Sequence, residues 1–220
     1  MLLLTSSSPV RLGTLPSLAE HYLPAVVHAM EQDGIPVDLT VLHTSEELTD
    51  MLHSRELDAI LVDRFKDDKP DFWNRELWTE PYYVIMPIDH PLAGEQSICL
   101  ESLAEQPLIM YPPACSIRKK MTSLFAEMKA VPHIKTEVPF GAFIPGYTAA
   151  GAGIGILPQM VAAQLSHARL TAVPLHHPLA EREISIAAIG SAAGEQLLPY
   201  LRPLPLTRDD PDATRAPAGQ

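Results

Sequence analysis

Three short stretches carry the residue types best suited to gripping a small ligand: Gly13-Thr-Leu-Pro-Ser17, His43-Thr-Ser45 and Tyr111-Pro-Pro-Ala-Cys-Ser116. Each follows an apolar run of strand character and ends where a helical pattern begins. At a helix start the first N–H groups lack carbonyl partners, and the helix dipole is positive outward. Hydroxyls add donors that can turn toward an oxygen ligand. Together these features favour the carboxylate, sulfate or phosphate of a small metabolite. Leu15, Tyr111, Phe140 and Phe143 could supply the apolar wall that such pockets use. A plainer role is open for each hydroxyl, because Ser17, Thr44 and Ser45 are also the residues any helix uses as N-caps. Pro16, Pro112 and Pro113 remove amide donors from the same turns. Arg64 could neutralise an acid or simply sit on the surface.

Catalytic chemistry finds little support. Cys115, beside Ser116, is the one tempting nucleophile, but the nine histidines are scattered and no spacing ties one to it. A small buried thiol is the simpler reading. There is no G-x-S-x-G elbow, no H-E-x-x-H, no C-x-x-C and no EF-hand loop. His21 and His28 share a helical face without a third ligand, and His176-His177-Pro178 reads as a turn. Glu46-Glu47 and Asp67-Asp68 read as solvated carboxylates. No catalytic residue, metal or cofactor is expected. The glycine-rich stretch Tyr147-Thr-Ala-Ala-Gly-Ala-Gly-Ile-Gly-Ile-Leu-Pro-Gln159 invites a nucleotide-loop reading, but its order is wrong. Its glycines leave a helix and open a strand, whereas a dinucleotide loop leaves a strand and opens a helix.

The elements that must position these turns alternate between strand and helix, which argues an α/β architecture with parallel strands. Strands are expected at Val10–Gly13, Val37–Leu42, Ala59–Val62, Leu77–Met86 (with a break near Pro81), Leu108–Tyr111, His133–Val138, Ile154–Leu157, Leu170–Leu175 and Ile184–Ile189. A helix from Pro16 and Ser17 carries apolar positions at Leu18, Tyr22, Leu23, Val26, Val27 and Met30, and Gly34 ends it. Further helices are expected from Ser45, over Ile117–Met128, over Ala142–Ala150 with Pro145 kinking it or delaying its start, over Gln159–Gln164 and over Glu195–Leu201. Residues 64–74 read as a polar loop.

The chain has 220 residues, 46% of them hydrophobic, enough for a sizeable core in one domain or two small lobes. No apolar run approaches a membrane span, and Met1-Leu-Leu-Leu4 is too short for a signal-peptide core. Two cysteines in unrelated contexts suit a reduced, cytoplasmic protein. The net charge of −11 opposes unaided binding to a phosphate backbone, and the basic cluster Arg118-Lys119-Lys120 is small enough to be a solvated helix face.

The glycine-rich stretch also resembles the last part of the effector-binding domain of LysR-type transcriptional regulators. Four other segments agree with that family in its order: Val10-Arg-Leu-Gly-Thr-Leu-Pro-Ser17 with Tyr22-Leu-Pro24, Glu56-Leu-Asp-Ala-Ile-Leu61, His90-Pro-Leu-Ala93 and Leu103-Ala-Glu-Gln-Pro-Leu-Ile109. The resemblance covers residues 9 to about 204. It implies the type-2 periplasmic-binding-protein fold, two Rossmann-like lobes joined by two crossover strands. Lobe I would comprise 9–88 plus 161–204 and lobe II 89–160, with a disordered tail at 205–220. It implies a small organic anion as effector, held between the lobes by Thr14, Leu15, Ser17, Thr44, Ser45, Tyr111, Pro113, Cys115, Ser116, Phe140, Ala142 and Phe143. It further implies a non-enzymatic sensor of transcription that forms a homodimer, or a tetramer at full length, and contacts DNA only through an N-terminal winged helix-turn-helix. Only eight residues precede the matched region here, as in an excised fragment or a regulator lacking its head. The stripe Leu18, Tyr22, Val26 could face a partner or the core. A stand-alone solute-binding protein and a small enzyme on a related α/β fold are the alternatives.

Overall fold

A computed structural model describes residues 8–65 and 71–202. The expected tail at 205–220 and the pair Asp67-Asp68 lie outside the described residues.

Strand β1 (Val10–Thr14) runs into helix α1 (Pro16–His21) and helix α2 (Leu23–Gln32). One continuous helix was the expectation, and the break falls at Tyr22. Pro24 has no N–H to give the preceding turn, and its ring crowds the carbonyl four residues back, so it sits in the first turn of a new helix. Gly34, at φ 79°, closes α2 as expected. Strand β2 (Val37–Val41), helix α3 (Ser45–His53) and strand β3 (Ala59–Asp63) follow. Strand β4 (Phe72–Pro87) is 16 residues long and takes in the second part of the expected polar loop. Pro81 does not break it. Up to Pro81 the strand pairs with one set of partners and from Tyr82 with another, so the missing N–H falls where the partners change.

The short strand β5 (Ile98–Cys99) and one-turn helix α4 (Leu100–Leu103) come next, both too brief for sequence periodicity to reveal. Then come strand β6 (Leu108–Met110), helix α5 (Ser116–Glu127), strand β7 (Ile134–Glu137), a 3-10 turn (Gly141–Phe143), helix α6 (Ile144–Ala149) and strand β8 (Ile154–Pro158). Pro145 therefore delays α6 and sits in its first turn, where its N–H would be unpaired in any case. Gly151, at φ 78°, caps α6. The cap reading of the glycine-rich stretch holds, with a second constraint on Gly153: a Cβ there would lie 2.3 Å from the Pro107 carbonyl oxygen. Helix α7 (Gln159–Ala162), strand β9 (Leu170–His176), strand β10 (Glu181–Ile189) and helix α8 (Ser191–Leu197) complete the fold. Helix α8 starts and ends earlier than expected, because Gly190, at φ 74°, turns the chain into it and Pro199 falls in the 3-10 turn that follows.

The strands lie in the order β2-β1-β3-β10-β4-β8-β6-β7, with β9 beside β4 and β5 beside β9. The sheet is mixed. Pairings of β1 with β2 and β3, and of β6 with β7 and β8, are parallel, as alternating α/β elements require. β10 runs antiparallel to β3 and β4, and β4 antiparallel to β8 and β9. Two hydrophobic cores result. One gathers residues of β1, α1, α2, α3, β3 and β10. The other gathers Tyr82–Met86, β6, α5, α6, β8 and Val173, Leu175 and Ala180. Leu18, Tyr22 and Val26 are buried in the first core at 0%, 2% and 6% exposure, so that stripe packs inward and does not face a partner.

Candidate functional site

Between the two cores lies a cavity of about 370 Å³, within the size range of small-molecule sites. Leu15, Pro16 and Ser17 come from the β1–α1 turn. Tyr111, Pro112, Cys115, Ser116 and Ile117 come from the β6–α5 turn, and Pro139 to Phe143 come from the turn before α6. Phe140 and Phe143 stack edge to face at 5.6 Å and are 41% and 47% exposed, the profile of a rim awaiting an apolar partner. Tyr111 is buried beneath them. A Cβ at Gly141 would lie 2.7 Å from its hydroxyl, so that glycine lets the rim close over the ring. Burial pushes the Tyr111 hydroxyl far above its ordinary range.

Eight of the twelve residues expected at the site line this cavity: Leu15, Ser17, Tyr111, Cys115, Ser116, Phe140, Ala142 and Phe143. Four do not. Thr14 is fully buried and donates to the Leu61 carbonyl at 3.1 Å, stitching β1 to β3. Thr44 caps α3: its hydroxyl accepts from the Glu47 amide at 3.1 Å and donates to the Glu47 carboxylate at 2.7 Å. The Ser45 hydroxyl oxygen is buried without a hydrogen-bond partner, away from the cavity lining. Pro113 points outward. The capping reading is therefore the observed one at Thr44, and of the cap candidates Ser17, Thr44 and Ser45 it is Ser17 that lines the cavity.

Arg64, 63% exposed, lies 3.7 Å from Glu183 and outside the cavity lining. Cys115 is a free, half-buried cysteine in the cavity lining. Burial pushes its thiol up from the ordinary range, against the pull of the Arg118 and Ile117 amides. Within the basic cluster, Arg118 donates to the Tyr111 carbonyl at 3.0 Å and Lys119 pairs with Glu46 at 2.6 Å.

The charges at the cavity floor escaped the sequence reading. Arg182 of β10 is 4% exposed. Its Nε donates to Glu80 Oε1 at 2.7 Å, and its Nη2 lies 2.7 Å from the same oxygen, within ion-pair range but without hydrogen-bond alignment. Its Nη1 donates to Ser17 Oγ at 3.0 Å and lies 3.5 Å from Asp63 Oδ1. Glu80 is wholly buried and spends its other oxygen on the Met160 amide at 2.7 Å. Burial alone would lower the Arg182 pKa, but the carboxylates of Glu80 and Asp63 more than offset it and hold the guanidinium above its ordinary range. Asp63 in turn accepts a hydrogen bond from Ser116 at the start of α5. A sequence signal for this network did exist. Arg182 alternates with Ile184, Ile186 and Ala188, and Glu80 with Tyr82, Val84 and Met86, all of them buried. A charge on a strand face that is otherwise apolar needs a buried partner.

Contacts beside the cavity also join residues far apart in the chain. Lys119 reaches Glu46, the His43 ring lies 4.8 Å from Phe140, and His21 lies 3.1 Å from Gln164. Among the described residues no group of His, Cys, Asp or Glu could hold a metal ion.

The model of the LysR substrate binding domain matches residues 5–199. The chain belongs to that family. Of its curated relatives, the uncharacterised HTH-type transcriptional regulator YybE of Bacillus subtilis is 32% identical over 182 residues, covering 82% of this chain and 61% of that protein. The transcriptional dual regulator GltC of the same organism is 25% identical, covering 80% of this chain and 59% of that protein. The chain thus spans about three-fifths of the length of these relatives, both transcriptional regulators. Among solved structures, the BenM effector binding domain with its effector benzoate superposes with a TM-score of 0.76 at 23% identity, covering 88% of this chain and 90% of that one. The Synechocystis CcmR regulatory domain in complex with 2-PG gives 0.77 at 23%, covering 89% and 96%. These likenesses bear out the expected LysR effector-domain architecture of periplasmic-binding-protein type. Among the described residues no helix is long and apolar enough to cross a membrane.

Proposed function

We propose that this LysR substrate-binding domain is the ligand-sensing part of a transcriptional regulator, and that its effector is a small organic acid held in the cavity between the two cores. The observation that carries the reading is the cavity itself. It has an apolar wall of Leu15, Tyr111, Phe140 and Phe143, a buried charged floor at Arg182, and the start of the 12-residue helix α5 on one side. The Lys119 amide bonds the Cys115 carbonyl and the Ile117 and Arg118 amides bond the Cys115 sulfur, so the Ser116 amide at the head of that helix is the one placed to favour a carboxylate. The benzoate in the BenM relative is a ligand of this chemistry.

The lobes are residues 9–88 with 161–204, and 89–160. The side chains of 82–87 and 170–176 pack with the second core and serve as the connecting segments. Effector binding shifts the balance between lobe orientations by gripping one more tightly than the other. In the whole regulator that shift is passed to a helix-turn-helix of the kind its HTH-type relatives are named for, in a cytoplasmic homodimer or tetramer.

Thermal melts against aromatic and aliphatic acids test this. One acid should raise the midpoint with concentration, as binding to the folded state requires. Phe143→Ala, at a half-exposed rim position, should leave the unliganded midpoint unchanged and weaken that response roughly tenfold. An undiminished response in the variant would move the effector out of this cavity.

A further inference from the structure

Tyr111 carries a hydroxyl that the fold does not use. The residue is 7% exposed and lines the cavity. Its backbone carbonyl accepts from Arg118, but among the described residues nothing bonds its side-chain oxygen. That oxygen is not sealed in. Unlike the unpartnered oxygens of Ser45, Asp63 and Thr148, it keeps accessible surface. Gly141, another residue of the lining, stands directly over it. No left-handed φ calls for a glycine there. What the glycine supplies is clearance, because a Cβ would lie 2.7 Å from the hydroxyl oxygen. A buried tyrosine hydroxyl ordinarily finds a partner, as Tyr22 does on the Arg202 carbonyl at 3.0 Å. A hydroxyl left unmatched at this depth is costly until a ligand supplies the bond.

We infer that the Tyr111 hydroxyl donates a hydrogen bond to an acceptor oxygen of the bound acid. Burial pushes the phenol far above its ordinary range, so it stays protonated. The rest of the lining also favours acceptors on the ligand. The carbonyls of Leu15, Pro112, Cys115 and Phe140 already accept from backbone amides, and that of Tyr111 accepts from Arg118. Arg182 is the one arginine or lysine of the lining, and Glu80, Asp63 and Ser17 surround its guanidinium. Ser17 Oγ accepts from Arg182, which leaves the Ser17 proton free to be donated. Recognition of the acid therefore falls to neutral donors: the hydroxyls of Ser17 and Tyr111 and the amide of Ser116. Tyr111 is the most deeply buried of these residues. This inference rests on the cavity being the effector site.

The test is calorimetric titration of the intact chain and of Tyr111→Phe, a change that removes only the hydroxyl. The probes are benzoate and benzoylformate, which adds a ketone oxygen beside the carboxylate, joined by any acid of the wider panel that raises the midpoint. Because the hydroxyl has no partner in the fold, Tyr111→Phe should melt no lower than the parent. An acid that binds the parent should bind the variant about tenfold more weakly, the loss of one hydrogen bond. A loss that includes benzoate places the carboxylate on Tyr111. A loss for benzoylformate alone places the ketone oxygen there. Unchanged affinities in Tyr111→Phe overturn the inference and leave the acid-binding cavity standing. A midpoint lowered by several degrees shows the hydroxyl bonded within the fold and overturns it as well. No binding by either probe, with no midpoint shift from the wider panel, overturns the cavity reading and this inference together.

Discussion

Replacing Arg182 with Met keeps much of the side-chain volume and removes one charge from the junction of the two cores. Three contacts go with it: the ion pair to Glu80 at 2.7 Å, the hydrogen bond to Ser17 at 3.0 Å and the approach to Asp63 at 3.5 Å. Glu80 is 0% exposed and keeps only the Met160 amide. Breaking a buried pair from one side strands the other charge and costs about 3–5 kcal/mol. For a chain of this size about 2–4 °C accompanies each kcal/mol, so the melting midpoint should fall by about 6–20 °C. Urea unfolding followed by tryptophan fluorescence is the natural assay, because Trp73 and Trp78 both pack against the first core. Adding Glu80→Leu to Arg182→Met removes the stranded charge and should restore most of the loss, since apolar replacement of a whole buried pair is often neutral or better. A loss under about 1 kcal/mol, the level of an exposed pair, would mean the network is solvated in solution. A double variant weaker than the single would show that Glu80 is held by something other than Arg182.

Other outcomes are expected from the same contacts. Thr44→Ala should cost about 1 kcal/mol through loss of the α3 cap, read from the urea midpoint, and should leave ligand response intact. Gly153→Ala should cost about 1–3 kcal/mol, because the new Cβ meets the backbone oxygen of Pro107, which already accepts the Ile154 amide at 2.9 Å and cannot swing away. The Arg11 side chain bonds Asp58 at 2.6 Å and holds its carboxyl below the usual range. A carboxyl depressed in the folded state stabilises the fold above its unfolded pKa, and that contribution is lost as pH falls through the folded value. Asp58→Asn should therefore flatten the acid limb of the stability profile below about pH 4, checked by urea midpoints across that limb.

Much of this was legible in the chain. Period-two and helical apolar spacing gave the element order, and the glycines at 151 and 153 marked the turn into β8. Hydroxyl and aromatic residues at strand ends, taken together with the family resemblance, pointed to eight cavity residues. The rest depended on information that local pattern does not carry. Thr14, Thr44 and Ser17 are the same kind of residue at the same kind of place, yet one stitches strands, one caps a helix and one faces the cavity. Only the tertiary neighbours separate them. The antiparallel course of β10 could not be read from its own sequence, because alternation fixes which face a residue takes and not which strand lies beside it.

The course of β10 explains why the charged floor lies where it does. Arg182 and Glu80 are direct partners across β10 and β4, one residue before the pair Pro81 and Glu181 at which that pairing ends. Beyond Pro81, β4 turns its hydrogen bonds to β8 and β9 and its side chains into the second core. The ion pair thus sits at the seam between the cores. From this seam Arg182 reaches Ser17 on the first-core side of the cavity, while Asp63 reaches Ser116 on the second-core side. The Ser116 hydrogen bond is one of the contacts joining the two sides, so the two halves of the cavity wall meet through one carboxylate, which also lies 3.5 Å from the Arg182 guanidinium.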